Sequence, residues 1–197
     1  MLLRKIPRHH FITIGKMKYF WIPALLLFGL TACSTAVVQP SKSGSAPLPD
    51  LGPAPELTNS IWLNTNIPLR LADLRGKVVG LEMWTLGCIN CQHVIPSLKS
   101  WYAKYKDQGL VIIGNHFPEF KTESDFNNLK AAVAEDDIEY PVAQDNNGAT
   151  WNTYHNIYWP ALYLIDKKGQ IRYVHIGEGA YNEIETNIQA LLAESYP

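Results

Sequence analysis

From about residue 57 onward, short apolar runs alternate with stretches whose apolar residues recur at helical spacing. "KVVGLEMW" (Lys77–Trp84) and "LVIIGNH" (Leu110–His116) are nearly unbroken and rich in β-branched residues, the pattern of strands buried on both faces. Between them, Val94, Ile95, Leu98, Trp101, Tyr102 and Tyr105 share one face of a helix predicted over Cys91–Lys106, and Gly109 closes it. Strand, helix, strand in that order predicts a parallel pair with a right-handed crossover.

The pattern continues with a helix over 124–135, for which Ser124 or Thr122 is a candidate cap, a short strand over Tyr140–Gln144 and a short helix over Ala149–His155. "ALYLIDKKGQIRYVHIG" predicts two strands joined at Asp166-Lys167-Lys168-Gly169, an antiparallel hairpin. A last amphipathic helix over Tyr181–Ala193 turns Ile184, Ile188, Leu191 and Leu192 inward. Upstream, "IWLNTNIPLRL" predicts a small extra hairpin. The expected fold is therefore α/β, βαβ followed by ββα, with a central mixed sheet flanked by helices and a small N-terminal β extension.

The first 32 residues follow a different rule. They carry Arg4, Lys5, Arg8, Lys16 and Lys18, no acid, and then the apolar run "YFWIPALLLFGL". That run is shorter than the ~20 apolar residues needed to span a bilayer, and its basic approach and small-residue exit are those of a secretory signal. Met17 opens a complete signal by itself. Residues 34–56, rich in Pro, Ser, Gly and Ala, offer little to bury and are expected to form a flexible tether. The organisation expected is a leader over 1–32, a tethered N-terminus over 33–56 and one domain over 57–197.

Charge follows that division. The whole chain has 17 Lys+Arg against 18 Asp+Glu; without the five basic residues of the leader, 12 face 18, a net charge of −6. A mildly acidic domain without basic clusters has no electrostatic footprint for nucleic acid.

Of three cysteines, Cys33 follows the apolar run directly, which leaves Cys88 and Cys91 as one pair. A disulfide closing so short a loop removes little unfolded-chain entropy, so structural stapling is a weak reason for the pair. Cys88 falls where a strand passes into a helix. The free N–H groups there stabilise a thiolate, the nucleophilic form, and Cys91 is one turn further in, placed to attack a mixed disulfide formed on Cys88. Glu82 interrupts an apolar strand six residues before Cys88. Directed inward, its carboxyl would have a raised pKa and could take or return a proton near neutral pH. Pro96 lies inside the predicted helix, where proline normally kinks it, and Trp159-Pro160 stands at the start of a strand, a candidate cis bond.

Together, Glu82, Trp84, "CINC", Pro96, Pro160 and the βαβ–ββα order resemble thioredoxin-fold oxidoreductases. "LRGKVVGLEMWTLGCINC", "GLVIIGNHFPEF" and "WPALYLIDKKGQIRYVHIGEG" are similar to the membrane-anchored TlpA-like branch. The resemblance implies a thiol:disulfide oxidoreductase whose catalytic residues are Cys88, Cys91, Glu82 and Pro160, with Trp84, Ile89, Asn90 and Trp159 lining a substrate groove. It implies no metal and no cofactor beyond the redox-active Cys88–Cys91 disulfide. Expected partners are protein thiols and disulfides, with a membrane electron donor of the DsbD/CcdA type recharging a monomer. "LTAC" (Leu30–Cys33) resembles a bacterial lipobox, implying lipidation of Cys33 and anchoring at the periplasmic face of a membrane; Ser34 leans toward outer-membrane sorting. The Ile-Asn pair between the cysteines, Glu at the buried acid and Trp159 before the proline all depart from thioredoxin, so a reduction potential does not carry over.

Other chemistries fit less well. Haem attachment needs C-x-x-C-H, and Gln92 stands where the histidine belongs; zinc needs four good ligands, and only His93 and His116 could join the cysteines. "TLGC" supplies the T-x-x-C of a peroxiredoxin-type peroxidase but has Leu81 where those sites usually carry proline. A redox-inactive chaperone for cytochrome or copper-site assembly lacks a soft-ligand cluster, since Met83 is the sole methionine after the leader.

Overall fold

The computed structural model describes residues 47–196; the expected signal, Cys33 and most of the tether lie outside them. One six-stranded sheet organises the domain, in the order β1-β4-β3-β2-β5-β6. Its strands are β1 (Ile61–Leu63), β2 (Val78–Trp84), β3 (Leu110–His116), β4 (Val142–Gln144), β5 (Ala161–Ile165) and β6 (Ile171–Ile176). The helices are α1 (Ile89–Tyr105), α2 (Phe126–Glu135), α3 (Ala149–Thr153) and α4 (Tyr181–Ala193). β2, β3 and β4 run parallel, whereas β5 pairs antiparallel with β2, β6 with β5 and β1 with β4.

β2 is buried along its whole length because helices or loops cover both faces of the sheet. Alternation then sorts its side chains. Val78 and Trp84 join a core cluster built with α1, α2 and α4. Val79, Leu81 and Met83 join another on the opposite face with Leu57, Leu71, Trp151 and Tyr163. Gly80 and Gly114 keep the first face low: a Cβ on Gly80 would come 2.8 Å from Ile112 Cδ1, and one on Gly114 2.9 Å from Trp84 Nε1.

Three expectations are corrected. The N-terminal extension is one strand, β1, zipped onto β4 (Ile61↔Gln144, Leu63↔Val142), because the chain then turns into a 3₁₀ helix at Leu71–Leu74 whose first N–H groups the Glu56 carboxylate caps. The tether does not extend to Glu56. From Leu48 the chain lies along β6, with Leu51 N–H donating to Ile171 C=O, Ala54 N–H to Gly169 C=O, and Arg172 holding the carbonyls of Leu48 and Pro49. Composition missed this because backbone groups and one arginine make the contacts. Finally, α2 is capped by Asp125, whose carboxylate accepts from Asn127 N–H, and neither Ser124 nor Thr122 serves.

Candidate active site

Cys88 is the N-cap of α1, in extended conformation (φ −85°, ψ 106°), and the helix begins at Ile89, ahead of the predicted Cys91. Its Sγ occupies the place of a capping oxygen and accepts the Cys91 backbone N–H at 3.1 Å. The two sulfurs are bonded, with Cα atoms 5.2 Å apart. Cys88 is half-buried and Cys91 almost wholly so, 2% exposed. The outer sulfur is the one that a second molecule can reach.

Glu82 is 2% exposed, on the face of β2 that carries Trp84 and packs with the cluster containing Cys91. Loss of water pushes its carboxyl up to about 8, and Oε2 has no hydrogen-bond partner. Nearby, burial first and the Glu82 charge second hold the Tyr140 phenol well above its ordinary range. The acid is thus poised to exchange a proton near neutrality.

Trp84 does not line the groove. It is 4% exposed, and its ring meets His116 edge-on at 5.4 Å above Gly114, supporting the site from beneath. Bulk without an exposed partner drives it inward. Ile89 and Asn90 are exposed, Ile89 at 61%. The Trp159-Pro160 bond is cis, and Trp159 stacks on Phe117 and packs at a tilt against Trp151 while its indole N–H donates to Phe117 C=O at 3.2 Å. Phe120 (58% exposed), Ile157 (69%) and Tyr158 (51%) add exposed apolar surface in the loops after β3 and before β5.

Two further side chains stand beside the site; the sequence offered His116 as a possible zinc ligand and gave Glu123 no role. His116 ends β3 fully buried with neither ring nitrogen bonded, and burial lowers its pKa to about 4. Glu123, in a 3₁₀ turn after β3, is 5% exposed and accepts hydrogen bonds from Thr85 Oγ1 (2.7 Å), Gly87 N (2.6 Å), Glu119 N (2.7 Å) and Phe120 N (3.0 Å). Burial alone would raise its pKa; these donors outweigh that and lower it. Ser124 and Thr122 on either side of Glu123 stood out as candidate helix caps, and nothing in the sequence singled out Glu123 itself. His93 lies at the surface, its Nδ1 2.7 Å from Glu178.

Fold and site together define a thioredoxin-fold thiol–disulfide oxidoreductase domain. The chain belongs to the AhpC/TSA family, whose sequence model matches residues 52–174. It is similar to the DipZ protein of Mycobacterium bovis, at 45% identity over 176 residues, 88% of this chain and 25% of that protein. The chain therefore spans about a quarter of that relative's length. It is also similar to the thiol-disulfide oxidoreductase YkuV of Bacillus subtilis, at 31% identity over 73% of this chain and 96% of YkuV. Among solved structures, a DsbE thiol:disulfide interchange protein from Chlorobium tepidum superposes with a TM-score of 0.65 at 25% identity, covering 74% of this chain and 99% of its own.

Proposed function

We propose that the whole protein is a reductant of disulfides in exported proteins, held at the periplasmic face of a bacterial membrane by lipid on Cys33. The observation that carries the chemistry is the Cys88–Cys91 pair at the head of α1, with Cys91 N–H directed at Cys88 Sγ. In the reduced form that N–H and the helix terminus favour the Cys88 thiolate. The thiolate attacks one sulfur of a substrate disulfide, forming a Cys88–substrate disulfide and releasing the other sulfur as a thiolate. Cys91, deprotonated by the Glu82 carboxylate, then attacks Cys88 Sγ; the second substrate sulfur leaves with its electron pair, and the Cys88–Cys91 disulfide remains. Two electrons have passed to the substrate, and a donor dithiol of the DsbD/CcdA type returns them. The exposed Ile89, Phe120 and Tyr158, with the half-buried Trp159, supply surface for an extended substrate strand, and the buried cis Pro160 behind Trp159 fixes the backbone of that loop, the place that the resemblance gives to it.

The leader, the lipobox-like "LTAC" and the redox pair support an extracytoplasmic site, where disulfides form and persist. Among the described residues, no helix is long and apolar enough to cross a membrane.

One observation favours disulfide exchange over peroxidase chemistry. The Thr85 hydroxyl of "TLGC" gives its one proton to Glu123, so it has none to donate to a peroxide on Cys88.

The test is the reduction potential of the Cys88–Cys91 couple together with reduction of a protein disulfide such as insulin. A potential near about −270 mV with turnover of insulin supports a reductant; one near about −120 mV reassigns the protein as an oxidant. Consumption of Cys88 by peroxide faster than by protein disulfides restores the peroxidase reading.

A further inference from the structure

Glu123 stands 35 residues from Cys88 in sequence, yet its carboxylate is bound to the loop that delivers that cysteine. Two of its four donors, Thr85 Oγ1 and Gly87 N, belong to the Thr85–Gly87 turn between β2 and α1; the other two, Glu119 N and Phe120 N, belong to the segment after β3. One side chain therefore ties together the two loops at the C-terminal ends of neighbouring strands. Gly87 is shaped for it: a Cβ there would lie 2.6 Å from Glu123 Oε1. Covalent geometry then places the carboxylate within roughly 11 Å of Cys88 Sγ.

All four contacts are N–H or O–H donors facing the carboxylate, the environment of an ionised carboxylate. Two inputs then act on Cys88 with opposite sign. The α1 terminus and Cys91 N–H favour negative charge on its sulfur; a fixed anion nearby disfavours it.

We propose that Glu123 is a positioning residue of the redox site: it anchors the Thr85–Gly87 turn that carries Cys88 and, as a buried anion beside that turn, opposes the Cys88 thiolate and so favours the disulfide. The proposal rests on Cys88 and Cys91 forming the redox couple. It supplies a source of reducing character to a cysteine at a helix N-terminus that has neither glycine nor proline between the two sulfurs. Removing the charge stabilises the thiolate, makes the dithiol easier to form and turns the protein into a weaker reductant.

The experiment compares wild type with Glu123→Gln, Gly87→Ala and Thr85→Val. The readouts are the pH titration of the Cys88 thiol, followed by alkylation rate, and the protein's equilibrium with the glutathione couple (protein disulfide plus two glutathione giving protein dithiol plus glutathione disulfide). Glu123→Gln removes the charge while keeping the shape; Cys88 should titrate roughly half a pH unit to one unit lower, and at pH 8 the equilibrium should shift about three- to tenfold toward the dithiol. Gly87→Ala forces the carboxylate off the turn, should act in the same direction, and supplies the test if Glu123→Gln does not fold. Thr85→Val deletes one donor, retains the charge, and should give less than half of the Glu123→Gln displacement. An unchanged titration and equilibrium in Glu123→Gln, or equal displacement in Thr85→Val, reduces Glu123 to a structural anchor and overturns the proposal. A wild-type protein that does not exchange with glutathione at all overturns instead the assignment of the redox couple.

Discussion

Cys91 donates its backbone N–H to Cys88 Sγ over 3.1 Å, so in the dithiol the buried cysteine's main chain is placed to stabilise charge on the accessible sulfur, a role distinct from the attack proposed for its own thiol. The two roles separate on mutation. Cys91→Ser retains the N–H and the attacking thiolate but cannot resolve, so it should accumulate a mixed disulfide with a protein substrate, visible as a thiol-sensitive adduct on a non-reducing gel. Cys88→Ser should give no adduct and no turnover. Adducts on Cys88→Ser would reverse the assignment.

Glu82 should make stability fall as pH rises. Its carboxyl is neutral in both states below about 4.5. Between there and about 8, the unfolded chain has released the proton that the native protein retains. Each pH unit in that window costs roughly 1.4 kcal/mol, and the loss levels off above about 8. Glu82→Gln should therefore match wild type near pH 4 and exceed it by several kcal/mol at pH 9 in urea unfolding. The same variant should slow the Cys91 resolving step on the order of 10²-fold at pH 8, because no carboxylate takes the thiol proton.

His116 acts in the opposite direction. Its folded pKa of about 4 lies below the ordinary histidine value, so its contribution is fully present above about 6.5 and is lost as pH falls toward 4. His116→Phe preserves the edge-on packing against Trp84 and removes two buried, unpaired ring nitrogens. It should be near-neutral at pH 7.5 and more stable than wild type by about 2–3 kcal/mol near pH 4. Equal pH dependence in the two proteins would show that His116 takes up a proton without cost.

Gly114 leaves room for Trp84. A methyl group there meets Trp84 Nε1 at 2.9 Å and Tyr140 Cε2 at 3.4 Å. Gly114→Ala should cost about 1–3 kcal/mol and displace Trp84, read as a changed tryptophan emission maximum. Gly109, whose φ of 101° closes the turn into β3, has only the flexible Lys77 side chain near its missing Cβ, so an alanine there suffers from backbone strain with no ring displaced and should leave that emission unchanged.

Much of this protein was legible in the chain itself. The apolar runs at Lys77–Trp84 and Leu110–His116 became β2 and β3, the pattern over Tyr181–Ala193 became α4, and the Trp159-Pro160 bond is cis. Periodicity reports which residues leave water, and burial is what builds strands and amphipathic helices, so those elements were available from the sequence alone. Alternation left Glu82 free to face either way until the fold buried it, but the CxxC spacing was likewise a local fact. Interactions between distant segments were not. The docking of Leu48–Glu56 on β6 and the 3₁₀ turn depends on backbone partners more than 100 residues away or on one carboxylate, and no composition reveals these. Trp84 looked like a groove residue until the sheet put it under the site, opposite His116. Glu123 had no signal of its own because three of its four donors are main-chain N–H groups, which every sequence has; only the fold decides where they converge.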